Sequence, residues 1–208
     1  MADKHSLSWL ALGDSYTIGE ALPLYDSYPY QCMQLLRKAG HPFAAPEIIA
    51  RTGWTTGELQ ERIRHTLLQP PYDIVTLLIG VNNQYHGLSP EDYAAGFESL
   101  LQQSIAFAGH RTDRVFVLSI PDWGVTPFAH NRPEGQPAIS RAIDAFNRIN
   151  ETIALRYGVR RLDITPGSRL AATDNSLLAA DQLHYSGKEY GRWAELLAKV
   201  IESGVRSL

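Results

Sequence analysis

Cysteine is nearly absent: Cys32 is the only one in 208 residues. No disulfide can form within the chain, which excludes a disulfide-stapled secreted scaffold. Cys32 stands in an apolar helical pattern, "YPYQCMQLL", where a buried thiol is expected. Excess charge of one sign is missing too. Nineteen Lys and Arg against 22 Asp and Glu leave a formal net charge of -3. That balance gives no electrostatic grip on nucleic acid or anionic lipid. Runs such as "HNRP" and "VRR" are short and read as solvated surface. No apolar run approaches the ~20 residues needed to span a bilayer. The opening "MADKHSLSWLALGDS" lacks the apolar core of a secretory leader. Metal signatures are lacking: there is no H-E-x-x-H and no cysteine cluster. "GDSYTIG" is not a phosphate loop, because the lysine of that motif is missing. The expectation is a cytoplasmic protein with no nucleic-acid partner, no membrane insertion, no metal and no cofactor. Nothing in the sequence reports on an oligomeric state.

What is present is an ordinary apolar share, 44%, sufficient for a sizeable core. The length fits one domain over residues 1–208. Short apolar runs alternate with segments of helical period. Strands are predicted at 8–12, 47–51, 73–80, 114–120 and 160–164. "DIVTLLIG" is the clearest of them, since a continuous β-branched run suits a strand covered on both faces.

Between the strands lie five helical stretches. The first spans 28–40 and ends at Gly40. In the second, Leu59, Ile63 and Leu67 recur four apart, and Thr55 with Glu58 matches a capping box. The third begins with Ser89 as N-cap and Pro90 at the first turn. Tyr93, Phe97, Leu100 or Leu101, and Ile105 form its inward stripe. The fourth carries Ile139, Ile143, Phe146 and Ile153. The last has a second capping box, Ser186 with Glu189, and an apolar face at Trp193, Leu196, Leu197 and Val200. Five alternations of strand and helix predict a five-stranded parallel sheet with helices on both faces, a three-layer α/β/α sandwich. The least regular stretch, 121–137, is longer than most such connections, and long loops are often functional.

Open parallel sheets bind ligands at the carboxyl ends of their strands. "GDSYTIG" follows the first strand, "RTGWTTG" the second and "GVNNQYHG" the third. "DQLHYSG" follows the fifth. If the sheet is parallel, these segments meet at one rim. They supply what acyl transfer requires. Ser15 is the candidate nucleophile and needs a base to take its proton. His184 is that base, since imidazole titrates near operating pH. Asp181, three residues earlier, can orient the imidazole on a tight turn. The developing oxyanion needs preorganised donors. The Ser15 N–H, the Gly53 N–H and the Asn82 side-chain amide are available, and glycine at 53 permits close approach by a ligand. Asp14 is expected to make local backbone hydrogen bonds. Asn83, Tyr85 and His86 are candidates for substrate contact, as are Trp54 and Trp123 for an apolar wall.

These segments, in this order, resemble the SGNH (GDSL-type) hydrolase family. Its first block is matched by Gly13-Asp14-Ser15, with Tyr16 where leucine is commonest. The second is matched by Gly53, the third by Gly80-Val81-Asn82, and the last by Asp181 and His184. The resemblance implies a flavodoxin-like fold and serine esterase chemistry without a metal, using Ser15, Asp181 and His184 with Gly53 and Asn82 in the oxyanion hole. Three further positions depart from the family pattern. Asn83 stands where aspartate is frequent, Gln182 where glycine is, and Tyr185 where proline is. The implied activity is hydrolysis of short to medium acyl or acetyl esters through an acyl-enzyme on Ser15. A transferase, thioesterase or lysophospholipase could use the same residues, and a non-catalytic binding module could keep the same fold. The small-molecule ester itself is not named by these residues.

Overall fold

The computed structural model describes residues 6–205. The first five residues of the segment read as lacking a leader core lie outside that range. The sheet contains β1 (Trp9–Asp14), β2 (Glu47–Arg51), β3 (Ile74–Leu78), β4 (Val115–Leu118) and β5 (Arg160–Leu162). All four pairings are parallel, and the order is β2-β1-β3-β4-β5. β1, β3 and β4 are buried along their whole length, as continuous apolar strands under two helical layers must be. β1 runs two residues further than the sequence pattern predicts, up to the residue before Ser15.

The helices are α1 (Ser15–Ile18), α2 (Tyr28–Lys38), α3 (Thr56–Arg64), α4 (Val81–Tyr85), α5 (Pro90–Phe107), α6 (Gln136–Arg156), α7 (Thr165–Ser168) and α8 (Gly187–Val205). α2 packs on α8 in one layer, while α3, α5 and α6 pack in succession in the other. No helix among the described residues is long and apolar enough to cross a membrane.

Local chemistry sets the helix ends. The Ser89 hydroxyl accepts from the Asp92 N–H at 3.0 Å, and Pro90 occupies the first turn of α5. At the start of α3, Glu58 accepts from both the Thr55 N–H and its hydroxyl at 2.7 Å. α2 stops at Lys38, and Gly40 at φ +98° turns the chain. Tyr93 of α5 stacks on Phe146 of α6 with centroids 4.6 Å apart. Tyr93, Phe97, Leu100, Leu101, Ile139, Ile143, Phe146 and Ile153 are all buried, as their spacing predicts, and so is Cys32.

Three expectations fail at helix surfaces. α3 ends at Arg64, so Leu67 falls beyond it and is 91% exposed. Leu196 faces outward, and the buried stripe of α8 is Tyr190, Trp193, Leu197 and Ile201. The capping box of Ser186 with Glu189 does not form. The Ser186 hydroxyl donates to the Ser176 carbonyl at 2.7 Å. The Glu189 carboxylate is buried and accepts from the Trp193 indole N–H at 2.9 Å. The Ser186 N–H is already taken by the Leu177 carbonyl at 2.8 Å, so it has nothing to offer Glu189.

The order 2-1-3-4-5 places a topological switch between β1 and β3, where the chain departs to opposite sides of its first strand. The register is level there: Asp14 pairs with Arg51 and Gly13 with Leu78. Ser15, the 52–53 turn and the segment from Gly80 to Asn82 therefore emerge along one rim.

Candidate active site

Ser15 opens α1 directly after β1. Asp14, its N-cap, accepts from the Tyr16 N–H at 3.0 Å, the local backbone bond expected of it. Ser15 is 4% exposed. Its own N–H stands in the first turn of a helix, where no intrahelical acceptor exists.

Block two is shaped by Gly53 at φ +87°, a conformation that L side chains rarely adopt. A Cβ there would meet nothing within 4 Å, so the backbone angle rather than protein crowding demands glycine. Gly80 opens block three at φ +127°, and a Cβ would lie 2.4 Å from the Tyr93 ring. The two blocks are tied together by adjacent amides. Asn82 Nδ2 donates to the Trp54 carbonyl at 3.0 Å. Asn83 Oδ1 accepts from the Thr56 N–H at 3.0 Å, and its Nδ2 donates to the Thr56 hydroxyl at 2.8 Å. One hydrogen of the Asn82 amide is so engaged, and the second is left for another acceptor.

The last block is a hydrogen-bonded turn. Asp181 Oδ1 accepts from the Leu183 N–H at 3.0 Å and the His184 N–H at 2.9 Å, while Oδ2 lies 2.6 Å from His184 Nδ1. Burial pushes the Asp181 carboxyl up, but these hydrogen bonds prevail and hold it below the usual carboxylate range. Gln182, in place of the commonly found glycine, keeps a left-handed φ of +59°. Tyr185, in place of proline, is fully buried, and its hydroxyl donates to the Asp122 carbonyl at 2.9 Å. Beneath His184 the Tyr16 ring meets the imidazole edge-on, centroids 5.6 Å apart, and packs against Tyr185 and Trp193.

Ser15, Gly53, Asn82 and His184 line one cavity of about 200 Å³. Asp181 stands behind His184. Ser15 and His184 share the cavity without a direct hydrogen bond between them. The remaining wall is mostly apolar: Val81, Tyr85, Trp123, Phe128 and Leu183, with Tyr16 and Thr52. Arg132 stacks 4.9 Å from the ring centroid of Tyr85 and pairs with Glu134 at 3.2 Å.

Of the candidates for substrate contact, the structure brings Tyr85 to the cavity and leaves Asn83 and His86 out. Asn83 is buried as a clamp on α3, and His86 is exposed. Trp123 lines the wall as a buried side chain whose indole N–H donates to Gln84 Oε1 at 2.8 Å. Trp54 belongs instead to a groove beside β2. Phe128 and Leu183 were not singled out by sequence. Their only signal is position, in a long loop and between Asp181 and His184.

A model of the GDSL-like lipase/acylhydrolase family matches residues 11–192. No curated protein matches significantly. Among solved structures, the chain is similar to the psychrotrophic esterase EstA from Pseudoalteromonas sp., in a structure inhibited by monoethylphosphonate. Identity is 15%, coverage 96% of this chain and 99% of that one, and the TM-score 0.72. It is similar to a lipase/acylhydrolase from Enterococcus faecalis at 19% identity, covering 95% and 96%, with a TM-score of 0.71. A third is the acetylxylan esterase Axe2 from Geobacillus stearothermophilus, at 16% identity, 99% and 97% coverage and a TM-score of 0.67. At these identities the likeness is one of fold.

Proposed function

We propose, because the chain belongs to the GDSL-like lipase/acylhydrolase family, that it is a serine esterase acting on short-acyl or small aryl carboxylic esters. The observation that carries this reading is the Asp181–His184 pair opening onto the cavity that also holds Ser15, Gly53 and Asn82.

Ser15 Oγ attacks the ester carbonyl carbon as His184 takes the hydroxyl proton. Asp181 fixes the imidazole with its Nδ1–H toward the carboxylate and stabilises the imidazolium. The carbonyl oxygen gains the electron pair and is held by the Ser15 N–H, the Gly53 N–H and the free Asn82 N–H. The tetrahedral intermediate then collapses, the bond to the alcohol oxygen breaks, and His184 gives that oxygen the proton. Water, deprotonated by His184, releases the acid from the acyl-Ser15 intermediate by the same sequence.

The cavity supports the choice of substrate. At about 200 Å³ it is smaller than the ~300–1,000 Å³ typical of drug-sized ligands. Its wall of Val81, Tyr85, Trp123, Phe128 and Leu183 offers few partners for sugar hydroxyls.

Turnover of p-nitrophenyl esters from acetate upward tests the reading, with Ser15→Ala as control. The optimum is expected at short chains, and the variant is expected to lose on the order of 10⁶ in kcat. A p-nitrophenyl phosphonate should release p-nitrophenol and leave the mass of its phosphonyl group on wild type and not on Ser15→Ala. Near-normal turnover by that variant would remove Ser15 from the mechanism. Adding an alcohol acceptor and analysing products separates hydrolysis from acyl transfer.

A further inference from the structure

The two edges of the sheet are built differently. β5 is three residues long, begins with two arginines, and Arg160 donates to the Val200 carbonyl at 3.2 Å, so α8 ties it down. Short, charged, covered edges resist pairing with other strands. β2 is longer and carries charge only at its two ends, as Glu47 and Arg51. Its sequence Glu47-Ile48-Ile49-Ala50-Arg51 contains no proline, lysine or glycine. Its five-residue register with β1 has no bulge, and among the described residues no strand pairs with its outer side. Ile48, Ile49, Ala50 and Arg51, with Trp54 and Arg62, line a groove along this edge of about 300 Å³.

Charge selects the occupant. Among the described residues, Arg51 and Arg62 have no ion-pair partner. Glu47 is exposed and accepts only from the Tyr72 hydroxyl, at 2.5 Å. An antiparallel copy of β2 centred on Ile49 places Glu47 of each chain opposite Arg51 of the other. Ile48 then faces Ala50, large against small, and Ile49 faces itself on the two-fold axis. Directly opposed side chains share a face of the sheet, so both ion pairs form together. A parallel copy would set Glu47 against Glu47 and does not obey a two-fold.

We propose that this chain forms a symmetric homodimer through antiparallel pairing of β2 with β2, joining two five-stranded sheets into one of ten. The contact is isologous and closes on itself. The two catalytic rims point in opposite directions along the joined sheet, and both cavities stay open.

The test is sedimentation equilibrium of the full chain over a concentration series. Wild type is expected to dimerise. Arg51→Glu opposes two like-charged pairs and should weaken association on the order of tenfold or more. The reversal Glu47→Arg with Arg51→Glu restores opposite charges at the same positions and should recover it. Ile49→Cys reads the register without changing charge. Opposed Cα atoms in antiparallel strands lie about 4.5–5.5 Å apart, within disulfide reach. Mild oxidation should therefore cross-link Ile49→Cys and leave a Leu67→Cys control without a cross-link, since native Cys32 is buried. A monomeric wild type overturns the proposal. So does a dimer indifferent to Arg51→Glu, a double reversal that fails to recover association, or the absence of an Ile49→Cys cross-link.

Discussion

Asp14 is a costly side chain to bury. It is fully buried next to Ser15, with one oxygen bonded to the Tyr16 N–H and Oδ2 without a partner. Desolvation outweighs the backbone hydrogen bonds and raises its carboxyl from 3.8 to about 7. The sign of the consequence is definite. Between those two values the folded chain retains a proton that the unfolded chain releases, so stability falls as pH rises through that window. The full loss, reached above the folded value, is on the order of 4 kcal/mol, at ~1.4 kcal/mol per unit. Asp14→Asn keeps the acceptor for Tyr16 and removes the titration. The variant should gain stability over wild type at pH 8 and gain little at pH 4, as urea unfolding at both values will measure. An equal gain at both would mean that shape, not charge, is responsible. Gln182 shows a second cost at this scale. Its left-handed backbone, worth roughly 1–2 kcal/mol of strain in a residue with a Cβ, preserves the turn that carries Asp181 and His184.

At the scale of elements, the site depends on how helices hold the loops after the strands. Asn147 of α6 is the main example. It is buried, and its Oδ1 accepts from the Ile120 N–H at 2.8 Å and from Asn150 Nδ2 at 3.0 Å. Its Nδ2 donates to the Ile120 carbonyl at 2.9 Å and the Thr165 hydroxyl at 3.0 Å. One amide therefore satisfies the backbone where β4 gives way to the loop bearing Trp123 and Phe128, and also ties in the start of α7. Truncation leaves several buried polar groups unpaired, each worth about 1–3 kcal/mol. Asn147→Ala should destabilise the fold by about 3 kcal/mol in chemical denaturation. Its esterase kinetics should show the wall loosened: KM for short esters rises more than kcat falls, because no reacting group is touched. A fall in kcat with KM unchanged would place the effect at Ser15 or His184 instead.

For the whole molecule, the sheet was legible because the central strands are short apolar runs bounded by turn residues, and β2 was read at its observed limits. The rim was legible for the same reason: Ser15, Gly53, Asn82 and the Asp181–His184 pair all directly follow or flank elements whose direction the alternation dictates. What could not be read depends on three-dimensional competition. Helical spacing continues through Leu67 although α3 has ended, and Ser-x-x-Glu at 186–189 matches a cap although Trp193 draws Glu189 inward. Trp123 and Phe128 reach the cavity from a loop whose course no local period encodes. The cavity joins residue 15 to residue 184, so it exists only when nearly the entire chain is in place. The turn carrying His184 is pinned to distant segments, by Tyr185 to Asp122 and by the Phe128 N–H to the Gln182 carbonyl at 3.3 Å. These ties couple its opening to the loop after β4. Loss of esterase activity in urea should coincide in midpoint with loss of far-ultraviolet circular dichroism, as one cooperative transition requires. Activity that vanished at clearly lower urea would show instead that the rim opens ahead of the core, as a separate unit of lower stability.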